Sequence, residues 1–182
     1  MTESIGTVTL ETAEGQEELR IVLGWMDEQK NQIVELTARD SLVCSLTGDS
    51  DRFADLDTLN RWLAKRAKTL FAVLDESDVV VGTAWIAEMP CENTEVPEEF
   101  GFTFAIRLYE KARGAGLAVP VLVKVFEYFM QTPMYKNGLH RGFWLHTKIG
   151  NIPAKRTYAK FGFTTIAQND EYIWMTWMPD AN

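Results

Sequence analysis

Residues 109–122 read YEKARGAGLAVPVL, with Gly114 and Gly116 standing between a basic stretch and an apolar one. Downstream, Val121, Leu122, Val125, Phe126 and Phe129 recur at the spacing of one helix face, and Pro120 fits such a helix only in its first turn. Upstream, FGFTFAIRLYE over residues 100–110 is rich in aromatic and branched side chains and reads as a strand. The glycines therefore join a strand to a helix N-terminus. Glycine adopts the positive φ angles that let successive backbone N–H groups converge, and the helix adds the positive end of its dipole, so the junction suits an anion such as a pyrophosphate. A plain tight turn is the competing reading. Two sharper phosphate motifs fail on the letters. No Lys followed by Ser or Thr comes after the last glycine, as a P-loop requires, and Val119 stands where a dinucleotide fingerprint needs a third small residue.

Working outward, TLFAVLD (69–75) and DVVVGTAWIAEM (78–89) alternate as strands and are joined by a turn too short for anything but an antiparallel hairpin. PCENTEVPEE (90–99) is an acidic loop. After the central helix, GFWLHT (142–147) predicts a strand, NIPAKRTYAKF (151–161) a helix stopped by Gly162, and FTTIAQ with EYIWMTW a closing hairpin. At the front, TVTLETA (7–13) predicts a strand. Leu19, Val22, Leu23 and Met26 then fall at helical spacing, as do Ile33, Val34 and Leu36. A further helix, capped by Asp55 or Asp57, would bury Leu59, Trp62, Leu63 and Ala67. This order gives an α+β fold, with one central, mostly antiparallel mixed sheet, helices on both faces and a single domain over residues 1–182.

Composition narrows the partners. A chain of 182 residues with 46% hydrophobic content fills one sizeable core. No apolar run approaches a membrane span, and MTESIG lacks the basic and apolar regions of a signal peptide, so the expectation is a cytoplasmic protein with no membrane partner. Cys44 and Cys91 sit in no metal-ligand spacing, which predicts ordinary thiols and no metal site. The net charge of −8 is uneven: residues 1–100 carry 21 acidic against 8 basic side chains, and residues 101–182 carry 5 against 10. The basic half suits a phosphorylated ligand, whereas nucleic acid is disfavoured by the overall balance. A homodimer stays open.

Two motifs make the sequence resemble the GCN5-related N-acetyltransferase (GNAT) superfamily. Its signature of Arg or Gln, two residues, Gly, one residue, then Gly or Ala is filled by Arg113, Gly116 and Ala118. Its downstream pattern is filled by Asn151, Ala154, Tyr158, Gly162 and Phe163. The resemblance implies acetyl-coenzyme A as cosubstrate, with its pyrophosphate on the amides of Arg113, Gly114, Ala115, Gly116, Leu117 and Ala118. It implies a pantetheine arm along Ile106, Arg107 and Leu108, where two strands splay apart, with Asn151 in the same site. Lys111 would add positive charge near the phosphates.

Acetyl transfer to an amine needs a neutral amine, a stabilised oxyanion and a proton for the departing thiolate. The resemblance gives the last role to Tyr158 and the oxyanion to a backbone N–H near Leu108. His146 stands where some relatives carry a carboxylate base, and a neutral imidazole suits that role. Glu88 and Glu110 are rivals. The acceptor is expected to be a primary amine, and the acidic first half points to a cationic one, such as a polyamine, an aminoglycoside or a peptide amine. A non-catalytic module that only binds acetyl-coenzyme A is the alternative.

Overall fold

The structure, a computed structural model, describes residues 3–13 and 15–179. Eight strands form one sheet: β1 (Ser4–Thr12), β2 (Gly15–Leu23), β3 (Thr69–Leu74), β4 (Val80–Glu88), β5 (Phe102–Leu108), β6 (Phe143–Lys148), β7 (Thr164–Gln168) and β8 (Tyr172–Trp177). They lie in the order β1, β2, β3, β4, β5, β6, β8, β7. Every pairing is antiparallel except that of β5 with β6. The sheet is thus mixed and mostly antiparallel, as the order of elements predicts.

Helices α1 (Asp27–Arg39), α2 (Ser41–Leu46), α3 (Asp49–Arg52) and α4 (Leu56–Ala64) follow β2. Their apolar residues, among them Ile33, Val43, Phe53 and Leu59, pack with Trp25, Ala72 and Tyr109 on one face of the sheet. On the other face, α5 (Ala118–Phe129) and α7 (Ile152–Phe161) bury Val121, Leu122, Phe126 and Tyr158 against Phe71, Phe104 and Phe143. Phe102, Phe126, Phe129 and Phe143 are fully buried and meet largely edge to face, the arrangement aromatic quadrupoles favour. A single turn, α6 (Pro133–Lys136), follows α5.

The segment expected as a helix from Gly15 is instead a strand. β2 closes a hairpin with β1 and pairs on its other side with β3, from Arg20↔Leu74 to Leu23↔Phe71. Leu19 and Ile21 face the α5 side, while Val22 is buried on the opposite face. Because its inner half is buried on both faces, apolar residues fall three and four apart without a helix. A second correction concerns Ala67, which lies beyond the end of α4 and is exposed. Asp55 is the N-cap of that helix: its carboxylate accepts from the Thr58 N–H at 2.7 Å.

The sheet parts in the middle. β5 keeps its antiparallel partner β4 from Phe102 to Leu108, but it pairs with β6 only at Phe102↔Phe143 and Thr103↔Trp144. The Tyr109 N–H donates to Val81 O on the β4 side at 3.0 Å, and the Phe102 N–H donates to Gly142 O on the β6 side at 3.2 Å. Alternation along the strand therefore turns the Ile106 and Leu108 amides toward β6, past the point where pairing with it ends.

Candidate active site

Where β5 and β6 diverge, a cleft of about 820 Å³ opens through the sheet. On the α5 side it is bounded by the glycine turn and Tyr158, and on the α1–α4 side by Arg52, Trp85 and His146. Gly114 and Gly116 have φ of +81° and +75°, and nothing stands within 4 Å of where a Cβ would be. Conformation, not space, requires glycine here. The turn delivers the chain to α5, whose N-cap Leu117 provides no side-chain hydrogen bond, so the first-turn amides are unsatisfied by any cap. Of the residues expected on this turn, Arg113, Gly114, Gly116, Leu117 and Ala118 line the cleft; Ala115, between the glycines, does not.

Ile106, Arg107 and Leu108 also line it. The Ile106 carbonyl accepts from the Arg107 guanidinium at 2.9 Å and the Leu108 carbonyl from Arg113 Nε at 3.3 Å, whereas the sheet offers the two amides no partner. These are free backbone donors along the parted strand, and an extended, amide-bearing chain pairs with such an edge.

Tyr158 is 8% exposed, packed on Phe104 and Phe163, and its hydroxyl forms no hydrogen bond with the described residues. Burial raises its pKa, opposed by the nearby charge of Arg107, so the phenol is held protonated. Asn151 caps α7: its Oδ1 accepts from the Ala154 N–H at 3.3 Å, while its Nδ2 donates to Thr147 Oγ1 at 3.2 Å. His146 opens onto the cleft from β6, ringed by Trp144, Tyr172 and Trp174 with centroids 5.2 to 6.2 Å away. Burial lowers its pKa and Arg52 lowers it further, against the opposing charge of Glu92, which keeps the imidazole neutral. Phe143 and Leu145 of the same strand join the α5-side core, so alternation places His146 on the α1–α4 side, opposite Tyr158.

Several charged residues stand elsewhere than expected. Lys111 bridges Glu17 and Asp75 at 2.8 and 2.7 Å and does not line the cleft; those two carboxylates raise its pKa. Glu88 and Glu110 are outside the cleft as well, Glu88 lying 3.5 Å from His140. Within the acidic first half, Asp49 is 1% exposed and locked between Arg107 (2.5 Å) and Arg52 (3.3 Å), and Asp55 is the helix cap. No Asp or Glu lines the cleft, whereas Arg52, Arg107, Arg113, Lys148, Arg156 and Lys160 do. Arg156 and Lys160 were missed in the sequence; they lie two residues either side of Tyr158, which places one turn of α7 along the cleft wall. Among the described residues, no cluster of three or more His, Cys, Asp or Glu is placed to hold a metal ion, and no helix is long and apolar enough to cross a membrane.

A mixed sheet parted between two parallel strands, with a glycine turn feeding an uncapped helix beside the parting, is an acetyltransferase architecture. The chain belongs to the acetyltransferase (GNAT) family, whose model matches residues 31–163. Among solved structures it is similar to the GNAT domain of S. lividans PAT, at 12% identity and a TM-score of 0.65, covering 94% of this chain and 96% of that one. It is also similar to the ribosomal-protein-S5-alanine acetyltransferase of Vibrio fischeri (13%, TM-score 0.65, 95% and 97% covered). A third likeness is to aminoglycoside acetyltransferase AAC(6')-Ib in complex with coenzyme A (17%, TM-score 0.65, 87% and 95% covered). No curated protein sequence matches the chain.

Proposed function

We propose that residues 1–182 form one acetyltransferase domain that moves an acetyl group from acetyl-coenzyme A to a primary amine. The observation that carries the reading is the continuity of one row of free donors: the Ile106 and Leu108 amides lead along β5 into the glycine turn and the uncapped start of α5. That row fits an amide-bearing arm ending in a pyrophosphate. In this reading Ile106, Arg107 and Leu108 pair with the arm, while Arg113, Gly114, Gly116, Leu117 and Ala118 surround the phosphates. Asn151 holds the start of α7, which carries Arg156 and Lys160 alongside.

The cosubstrate supplies the acetyl group as a thioester. In the same reading the Leu108 N–H receives the negative charge developing on the carbonyl oxygen. His146, kept neutral, takes the proton from the attacking amine as the C–N bond forms. Tyr158, kept protonated, gives its proton to the sulfur as the C–S bond breaks. Tyr158→Phe tests this directly. The ring and its packing survive, so acetyl-coenzyme A affinity should hold while thiol release in the presence of an amine panel falls by about 10²-fold or more. Unchanged turnover removes Tyr158 from the chemistry. Affinity without any turnover in the wild type would instead mark a binding module.

A further inference from the structure

We infer that the acceptor carries, besides its amine, an anionic oxygen group that seats in a basic alcove beside the cleft. This rests on the transferase reading above and names the substrate class. The alcove is a second cavity of about 280 Å³, lined by Arg52, Lys65, Arg66 and Lys68 with Trp62 and Trp85. Arg52, Trp85 and Met89 line both cavities, so the alcove adjoins the cleft on the same side as His146. In a chain of net charge −8, neither lining contains an Asp or Glu. A polyamine or aminoglycoside, each with several cationic amines, meets no carboxylate in either lining, and Glu92, whose charge reaches His146, acts from outside them.

Among the described residues, Lys65, Arg66 and Lys68 have no acidic partner. Lys68 turns inward over the Trp62 ring, 4.3 Å from its centroid, and donates to the carbonyls of Trp62 at 2.8 Å and Arg66 at 2.9 Å. Burial lowers its pKa, and Arg66 and Lys65 lower it further. The C-terminal dipole of α4 accounts for basic residues at this place in the chain. It does not account for their convergence on a wall of two indoles, set edge to face at 5.4 Å and continuous with the cleft. An anion relieves the crowding, and the indoles cover the apolar span between anion and amine. Carboxylate and phosphate share the recognised chemistry.

The test measures thiol release with phenylalanine and O-phosphoethanolamine against phenylalaninamide, ethanolamine, spermidine and kanamycin. Each is run on the wild type and on the double variant Lys65→Glu/Arg66→Glu. Both positions are exposed and unpaired, so a thermal melt should show the fold intact. Comparing one acceptor across the two proteins cancels differences in amine basicity. The variant should raise KM for the carboxylate or phosphate acceptor about tenfold, with kcat within about twofold and acetyl-coenzyme A affinity unchanged. Whichever of the two anionic amines responds identifies the group. An unchanged KM overturns the inference, as does preference for spermidine or kanamycin, or failure of both anionic amines to be acetylated or to bind by calorimetry. Loss of acetyl-coenzyme A binding in the wild type would instead overturn the transferase reading, and this inference with it.

Discussion

Replacing Gly116 by alanine puts a known conformational strain into the turn without a steric clash. Its φ of +75° lies in the left-handed region, where a Cβ costs about 1–2 kcal/mol, and no atom stands within 4 Å of the added methyl. The stiffer unfolded chain offsets about 0.4–1 kcal/mol, so a turn that holds its shape should lose roughly 1 kcal/mol of stability. If the turn relaxes instead, stability is spared, but binding must restore the strained shape, and the acetyl-coenzyme A Kd rises about 5- to 30-fold at 1.4 kcal/mol per decade. Urea unfolding and calorimetric titration together read both arms, and Gly114→Ala, at φ +81°, should behave alike. Gly150 supplies the control: it has equal space and no positive φ, so Gly150→Ala should leave stability and Kd unchanged or slightly improved. If Gly116→Ala changes neither quantity, or Gly150→Ala costs as much, the turn is not held by its glycines.

Asp49→Asn leaves the Arg107 and Arg52 guanidiniums without their buried counter-charge and should cost about 3 kcal/mol in urea unfolding, whereas Asp51→Asn, on an exposed carboxylate, should stay within about 0.5 kcal/mol. With a responsive acceptor, kcat/KM should rise with pH along a limb lying below the ordinary imidazole value near ~6.5, because the surrounding protein and Arg52 disfavour protonated His146; His146→Gln should remove that limb. Tyr109 is buried beside the Thr37 and Thr83 hydroxyls, and burial pushes its pKa up to about 12 against the opposing pull of those two hydroxyls. The folded form thus keeps a proton the unfolded chain loses near ~10, so the contribution of Tyr109 to stability should be constant below that pH and fall by about 3 kcal/mol as pH rises from ~10 to ~12. Tyr109→Phe should remove Tyr109's share of the alkaline slope and leave the share of buried Tyr158.

The second half of the chain was readable because its signals are local. Gly114, Gly116 and Gly162 each take a positive φ, Asn151 caps its helix, and Val121 to Phe129 mark one buried stripe, all properties that letters and spacing carry. β2 was misread because a strand buried on both faces has no alternation, and Leu19, Val22 and Leu23 then fit a helix equally well. The charge of the acceptor side was hidden for a different reason. Counting acids over residues 1–100 cannot reveal that Asp49 is consumed by two arginines and Asp55 by a helix cap. Nor can it reveal that β4 brings Trp85 beside Trp62, Lys68 and Arg52. Tyr158 and His146 stand out as candidates in the sequence, but only the parted sheet brings them to opposite faces of one opening.

The central claim is that acetyl-coenzyme A lies in the parting of β5 and β6 with its pyrophosphate on the glycine turn. Amide hydrogen exchange with and without acetyl-coenzyme A reads that placement residue by residue. Ile106, Leu108 and the amides from Gly114 to Val119 should slow together on binding, while those of the β1–β2 hairpin keep their rates. Binding that leaves the β5 and turn amides unprotected, or protects another surface, would contradict the account.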